Sequence, residues 1–190
     1  QLAPDAAELA TLVAVDPDPE VRAAAAARCR DLAAIASAWG SEADASVREA
    51  LASALGTALS ETHDAAAARA FLESAGCTDA IRAEVARHAK DAERRLAAIA
   101  GIRDEPLLVA LALSGGHAET RLAAAECVHT PEGLASLAEA AKNKDRGVAR
   151  LAKQRLEAMK DREGQANEAD AILAQLEALA GTPGPILTAV

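Results

Sequence analysis

Eight cations crowd one short stretch of the chain, Lys142, Lys144, Arg146, Arg150, Lys153, Arg155, Lys160 and Arg162, against only Asp145, Glu157 and Asp161. On a helix that starts at Asp145, the residues Val148, Leu151, Ala152 and Met159 make the side to be buried. Arg146, Arg150, Lys153 and Lys160 then line the opposite side at about one-turn spacing. A face of this kind has two uses. It stays solvated, with its cations suiting a helix end, or it receives an acidic partner, either RNA or an acidic protein segment, those of this chain included. The solvated face is the plainer expectation. No aromatic residue interleaves the cations, which argues against a platform for stacking unpaired bases. The candidate binding residues are Lys142, Lys144, Arg146, Arg150, Lys153 and Lys160.

The residue types that ordinarily carry catalysis do not assemble. No two of His63, His88, His117 and His129 stand at the i, i+4 spacing of a helical metal site. His117 reads as a helix cap after the turn at Gly115 and Gly116, and His129 as a turn residue. Cys29, Cys77 and Cys127 include no Cys-x-x-Cys pair, and only Cys127 has a nearby histidine, His129. Side chains two apart at a helix end point away from each other. The glycine pair joins two helices and lacks the strand and following lysine of a phosphate loop. Trp39 is the only tryptophan, and the acidic charge around it opposes DNA, so packing against the helix over 5–15 is expected. The residues name no catalytic group, no metal site and no cofactor, and the chain reads as a non-enzyme.

The elements that position these residues announce themselves by repetition. An octet of the form Asp-x-x-Val-Arg-x-Ala-Ala begins at Asp18, Asp44, Asp91, His117 (in place of Asp) and Asp145, with steps of 26, 47, 26 and 28 residues. A degenerate copy at Asp64 divides the long step into 20 and 27. Aspartate caps the free N–H groups of a helix start and suits its dipole. Val21, Val47 and Val148 are expected to begin an inward stripe, and the alanine pair to admit a neighbouring helix closely. Arg22, Arg48, Arg95 and Arg121 share one octet position, so stacked units would form a structural arginine ladder, each bridging to the Asp of an adjacent unit. Shorter partner helices are predicted over 79–88, 105–113 and 131–142. A period of this size is the mark of a helical-repeat array, in which each unit buries its apolar side on the next.

The octet with its short preceding helix resembles a HEAT-like repeat. Arg121–Glu126, Thr130–Ala138 and Lys144–Leu156 further resemble the amino-terminal half of large bacterial proteins carrying the domain of unknown function numbered 349. The likeness covers roughly 16–159 and is closest from Asp91 onward. It implies an all-α fold, an α-solenoid of about six helix pairs in a right-handed superhelix, in a bacterial cytoplasmic protein. That family offers no catalytic residues to carry over. HEAT-like metal hydroxylases place His-Glu dipeptides on successive repeats, of which His117-Ala118-Glu119 is only a near miss. HEAT-like alkylpurine DNA glycosylases are similar in architecture alone. Departures from the octet are His117 for Asp, Arg94 for the apolar residue, and arginines one place late at Arg69 and Arg150.

Composition agrees with helices throughout. Alanine supplies 54 of the 190 residues, with one Phe, one Trp and no Tyr, so packing must rely on small side chains. The net charge of −9 divides into −7 over 1–76, +2 over 77–162 and −4 over 163–190. That balance opposes non-specific phosphate binding by the whole surface. An odd number of scattered cysteines suits reduced, cytoplasmic thiols. The longest apolar run, 107–113, is far short of the roughly 18–20 residues a membrane span requires, so no membrane is expected. After the array (1–162), residues 163–190 are expected to form a separate acidic amphipathic helix over 167–180. A linker rich in Gly and Pro follows, leading into a domain beyond this chain. A non-catalytic scaffold for a protein partner is the expected function, and a nucleic-acid-associated module using helix 142–162 is the alternative.

Overall fold

Most of the described helix starts are made by a side chain that accepts from the first free N–H groups, the exceptions being those at Asp104 and His117. Asp44 Oδ1 accepts from the N–H groups of Ser46 and Val47 at 2.8 and 3.1 Å. Asp18, Asp31, Asp64, Asp91 and Asp145 cap in the same way. His117 occupies the cap position but makes no side-chain capping bond, so it serves there by backbone conformation alone. The computed structural model describes residues 5–180, with side chains to 178. Among these are α1 (Ala6–Val15), α2 (Pro19–Arg28), α3 (Leu32–Ser41), α4 (Ala45–Glu61), α5 (Ala65–Glu73), α6 (Asp79–His88), α7 (Ala92–Ala100), α8 (Glu105–Ser114), α9 (Ala118–Glu126), α10 (Pro131–Ala141) and α11 (Arg146–Ala180), and no strand. The chain is all-α. None of its described helices is long and apolar enough to cross a membrane.

Packing joins neighbours in the chain. Helices pair as α1 with α2, α3 with α4, α6 with α7, α8 with α9, and α10 with α11, and successive pairs meet through α2–α4, α4–α6, α6–α8, α7–α9, α8–α10 and α9–α11. That makes five pairs, not six. Asp64 does start a helix, α5, but its main packing is a light one on α7. The shortened step explains this. Twenty residues hold the long α4 and a turn, leaving no chain for a partner helix, so α4 packs directly on α6. Alanine makes this approach possible: Ala25, Ala26, Ala54, Ala58, Ala86, Ala98, Ala124, Ala125 and Ala152 are all buried beside Leu51, Leu55, Leu59, Leu111, Leu134 and Leu137. At Gly56 the spacing is tighter still, and even a Cβ would overlap the backbone at the end of α6.

Two expectations about the helices need correction. Val47 and Val148 are fully buried, but Val21 is 37% exposed, and α2 buries Ala25 and Ala26 instead. Val47 and Val148 sit on helices with an earlier octet helix packed beside them, whereas α2 is the first octet helix and only α1 precedes it. The separate helix over 167–180 does not exist as such. It is the continuation of α11, which runs unbroken through 162/163, since the residues joining the two halves include neither a proline nor a paired glycine. The Gly/Pro linker and apolar tail at 181–190 lie outside the described residues.

Candidate interaction surface

The ladder arginines share a task beyond the bridging that their spacing suggests. Each reaches back six residues to the carbonyl that ends the preceding helix. Arg22 donates to Asp16 O at 2.9 Å, Arg48 to Glu42 O at 3.1 Å, Arg95 to Ala89 O at 3.0 Å and Arg121 to Gly115 O at 2.9 Å. Those carbonyls have no partner within their own helices, so the arginine substitutes for a C-cap. The forward bridge to the next unit varies. Arg121 Nε meets Asp145 at 2.7 Å, as expected of the ladder. Arg22 grips Glu42 at 2.7 and 3.1 Å, and Arg95 meets Glu119 and donates to Thr120 Oγ1 at 3.1 Å. In both cases the acid is a Glu two residues away from the cap, because the longer side chain reaches where Asp44 or His117 cannot. Arg48 has no acid ahead of it, the next unit being the shortened one. Its guanidinium lies instead 4.2 Å from the Trp39 ring centroid, holding that half-buried tryptophan on α3. Arg69 is solvated and pairs only with Glu73 at 3.7 Å. Arg150 is exposed, and Ala149 fills the buried octet position.

A second set of bridges lies on the other helix layer. Asp79, first residue of α6, accepts from the N–H groups of Arg103 and Asp104, both at 2.8 Å, just before α8. Glu105, first residue of α8, accepts from those of His129 and Thr130, both at 3.1 Å, just before α10, and from the Thr130 hydroxyl. The signal was present as an acid at the first helical position recurring after 26 residues. Capping chemistry masked it, because an acid there already suits the dipole. Burial pulls both carboxyls upward, but the backbone and side-chain donors outweigh it and hold them below the ordinary carboxylate range. The Arg121 guanidinium does the same for Asp145, and Arg22 for Glu42. Carboxyls depressed by folding contribute stability that is complete above their unfolded values and is lost as pH falls through the folded ones. A thermal midpoint that is level above about pH 5 and drops steadily below about pH 4.5 is therefore expected in a pH series of melts.

These bridges leave the interior satisfied. No buried side-chain nitrogen or oxygen among the described residues lacks a partner. The cations on α11 and in the turn before it are the contrast. Lys144, Arg146, Arg150, Lys153 and Lys160 are exposed, and their side chains make no hydrogen bond or ion pair within the described chain. Lys142 has only a loose pair with Glu139 at 3.8 Å. The face expected from the spacing is thus assembled, except that Arg155 belongs elsewhere: it caps α9 by donating to Ala125 O and Glu126 O.

Two grooves were not legible in the sequence. One of about 690 Å³ opens between α5 and α7, walled by Ala65, Ala66, Leu72 and Ala97 with Arg69 and Arg94 at its rim. It follows from the light seating of α5. The other, about 300 Å³, runs along α11 over Leu151, Ala158 and Met159, with His129, Arg155 and Arg162 at its edge. Elsewhere, burial raises the Cys77 and Cys127 thiols, which makes both poorer nucleophiles. No group of three or more metal-ligating side chains gathers among the described residues. No family model, curated protein or solved structure matches the chain.

Proposed function

We propose that this is a non-catalytic scaffold that holds a protein partner, built as an α-solenoid of HEAT-like helix pairs in a right-handed superhelix. Five pairs with α5 inserted replace the six expected. It is taken to be a bacterial cytoplasmic protein related to the amino-terminal half of those carrying the domain of unknown function numbered 349. The near-neighbour packing and the recurrent bridges between units support the architecture. The observation that carries the function is the contrast at α11 and the turn before it: Lys144, Arg146, Arg150, Lys153 and Lys160 are left without partners, while every buried side-chain polar group among the described residues is satisfied. A protein partner with an acidic face would be steered and selected there. The raised thiols support a role without nucleophilic chemistry.

The same cations favour a second reading, a nucleic-acid-associated module. Arg150→Glu combined with Lys153→Glu separates the two. Both side chains are exposed and unpaired, so the melting midpoint should stay within about 2 °C of the parent value. In capture from source cells with the full-length gene product, the scaffold reading expects a protein retained by the parent and lost by the variant, unaffected by nuclease. Titration with RNA and duplex DNA at low and high salt tests the other. Affinity that falls steeply with salt and disappears in the variant would replace the scaffold with the nucleic-acid module.

A further inference from the structure

We propose that the protein pairs with a second copy of itself through α11, antiparallel, with the acidic half of each helix (163–178) lying along the basic-rimmed groove beside 151–162 of the other. This rests on α11 being an interaction surface and goes further by naming what occupies it.

The helix has 35 residues and is therefore about 50 Å long. Up to Met159 one side of it is sunk against α9 and α10, but every residue from 160 to 178 is exposed. The exposed half is not polar all round. Ile172, Leu173 and Leu176 are 51, 57 and 56% exposed. At about 100° per residue they form one stripe with Ala169, and followed backwards that stripe passes through Arg162, Ala158, Arg155 and Leu151. It does not continue the buried side formed by Val148 and Ala152. The apolar face of the second half thus continues the groove side of the first, where Leu151, Ala158 and Met159 make the floor and His129, Arg155 and Arg162 the edge.

Charge selects the occupant. From 163 to 178 the helix carries Glu163, Glu168, Asp170 and Glu177 and no cation. At its edge the groove of the first half carries Arg155 and Arg162 with His129, and Arg162 is exposed without a partner among the described residues. Two copies side by side in the same direction would set acid on acid and base on base. Reversed, each acidic half meets a basic half, and the two-fold axis makes that contact twice. The three large apolar side chains of each copy leave water in the same step.

Sedimentation equilibrium of the 190-residue chain tests this. A mass twice 19.4 kDa is expected at micromolar to submillimolar concentration. Leu173→Glu with Leu176→Glu should raise the dissociation constant by more than about a hundredfold without moving the melt of the main body. Arg162→Glu should weaken pairing, as should Glu163→Lys with Asp170→Lys, while a mixture of these two variants should restore it, because both contacts then join opposite charges. A parent chain that stays monomeric, a dimer indifferent to the leucine changes, or variants that do not rescue each other would overturn the proposal. So would a monomer that pairs only after removal of 181–190, since the tail would then be what covers the stripe. A monomeric parent that still loses a captured protein on Arg150→Glu with Lys153→Glu would end self-pairing and leave the scaffold standing. A dimer that captures nothing would do the reverse.

Discussion

Replacing Arg95 with alanine is expected to lower the free energy of unfolding by about 3 kcal/mol, an effect out of proportion to a charged residue in a sequence of solvated charges. The side chain is 4% exposed and makes contacts in two directions. Backward it donates to Ala89 O and Lys90 O at 3.0 and 2.8 Å, and forward it donates to Thr120 Oγ1 and pairs with Glu119. Its removal leaves two carbonyls at the end of α6 and a fully buried hydroxyl on α9 without their donor. Each orphan costs roughly 1–3 kcal/mol, less where water can enter the space vacated. Glu119 is half exposed and is rehydrated, so the larger penalty of a stranded buried charge does not apply. Lysine should recover little, because one ammonium cannot span acceptors set on both sides of a planar fork. Arg69→Ala is the comparison. That side chain is 80% exposed with one weak pair, and its loss should change stability by no more than about 0.5 kcal/mol. Urea unfolding of the three variants decides the matter, and similar losses for Arg95→Ala and Arg69→Ala would mean that Arg95 is not seated as described.

The second large effect runs against helix propensity. Gly56 lies inside α4, where alanine would ordinarily gain about 1 kcal/mol. Here Gly56→Ala is expected to cost about 2 kcal/mol net. The new Cβ would overlap the His88 carbonyl carbon and stand 2.6 Å from both Ala89 N and His88 Cβ. Two of those atoms are backbone, so no rotamer change relieves the contact. The helices would have to separate by about 1 Å to reach ordinary carbon contact, loosening the packing of Leu55 and Leu59 nearby. A lowered urea midpoint with an unchanged slope is the expected result. A midpoint equal to or above that of the parent would show that α4 and α6 do not approach so closely.

Helix starts were legible because capping is local: an aspartate with a helix-forming run behind it needs nothing distant to act, and Asp18, Asp44, Asp64, Asp91 and Asp145 all behave accordingly. The solvated row Arg146, Arg150, Lys153 and Lys160 was legible for the same reason, since periodicity alone sets which side of one helix a residue occupies. The partner of an arginine was not. Arg22, Arg48, Arg95 and Arg121 are alike in sequence, yet the forward contacts are Glu42 for Arg22, Glu119 with Thr120 for Arg95 and Asp145 for Arg121, while Arg48 turns back to the Trp39 ring. Which of these each one finds depends on the height and side-chain length of the next unit. Val21 was misplaced because burial requires a neighbour, and nothing within an octet says whether one is there.

By itself, then, the amino-acid order determined short-range events: where the capped helices begin, which side of the first half of α11 is solvated, and that alanine would let helices meet closely. Tertiary structure alone decided that twenty residues between Asp44 and Asp64 are too few for a helix pair, so that α5 rides on α7 and a groove opens beneath it. It also decided that α11 would run past its neighbours and carry an apolar stripe into solvent. The physical reason is range. A cap or an amphipathic face is fixed within one or two turns, whereas length mismatch and the presence of a neighbour are properties of the packed helices as a whole.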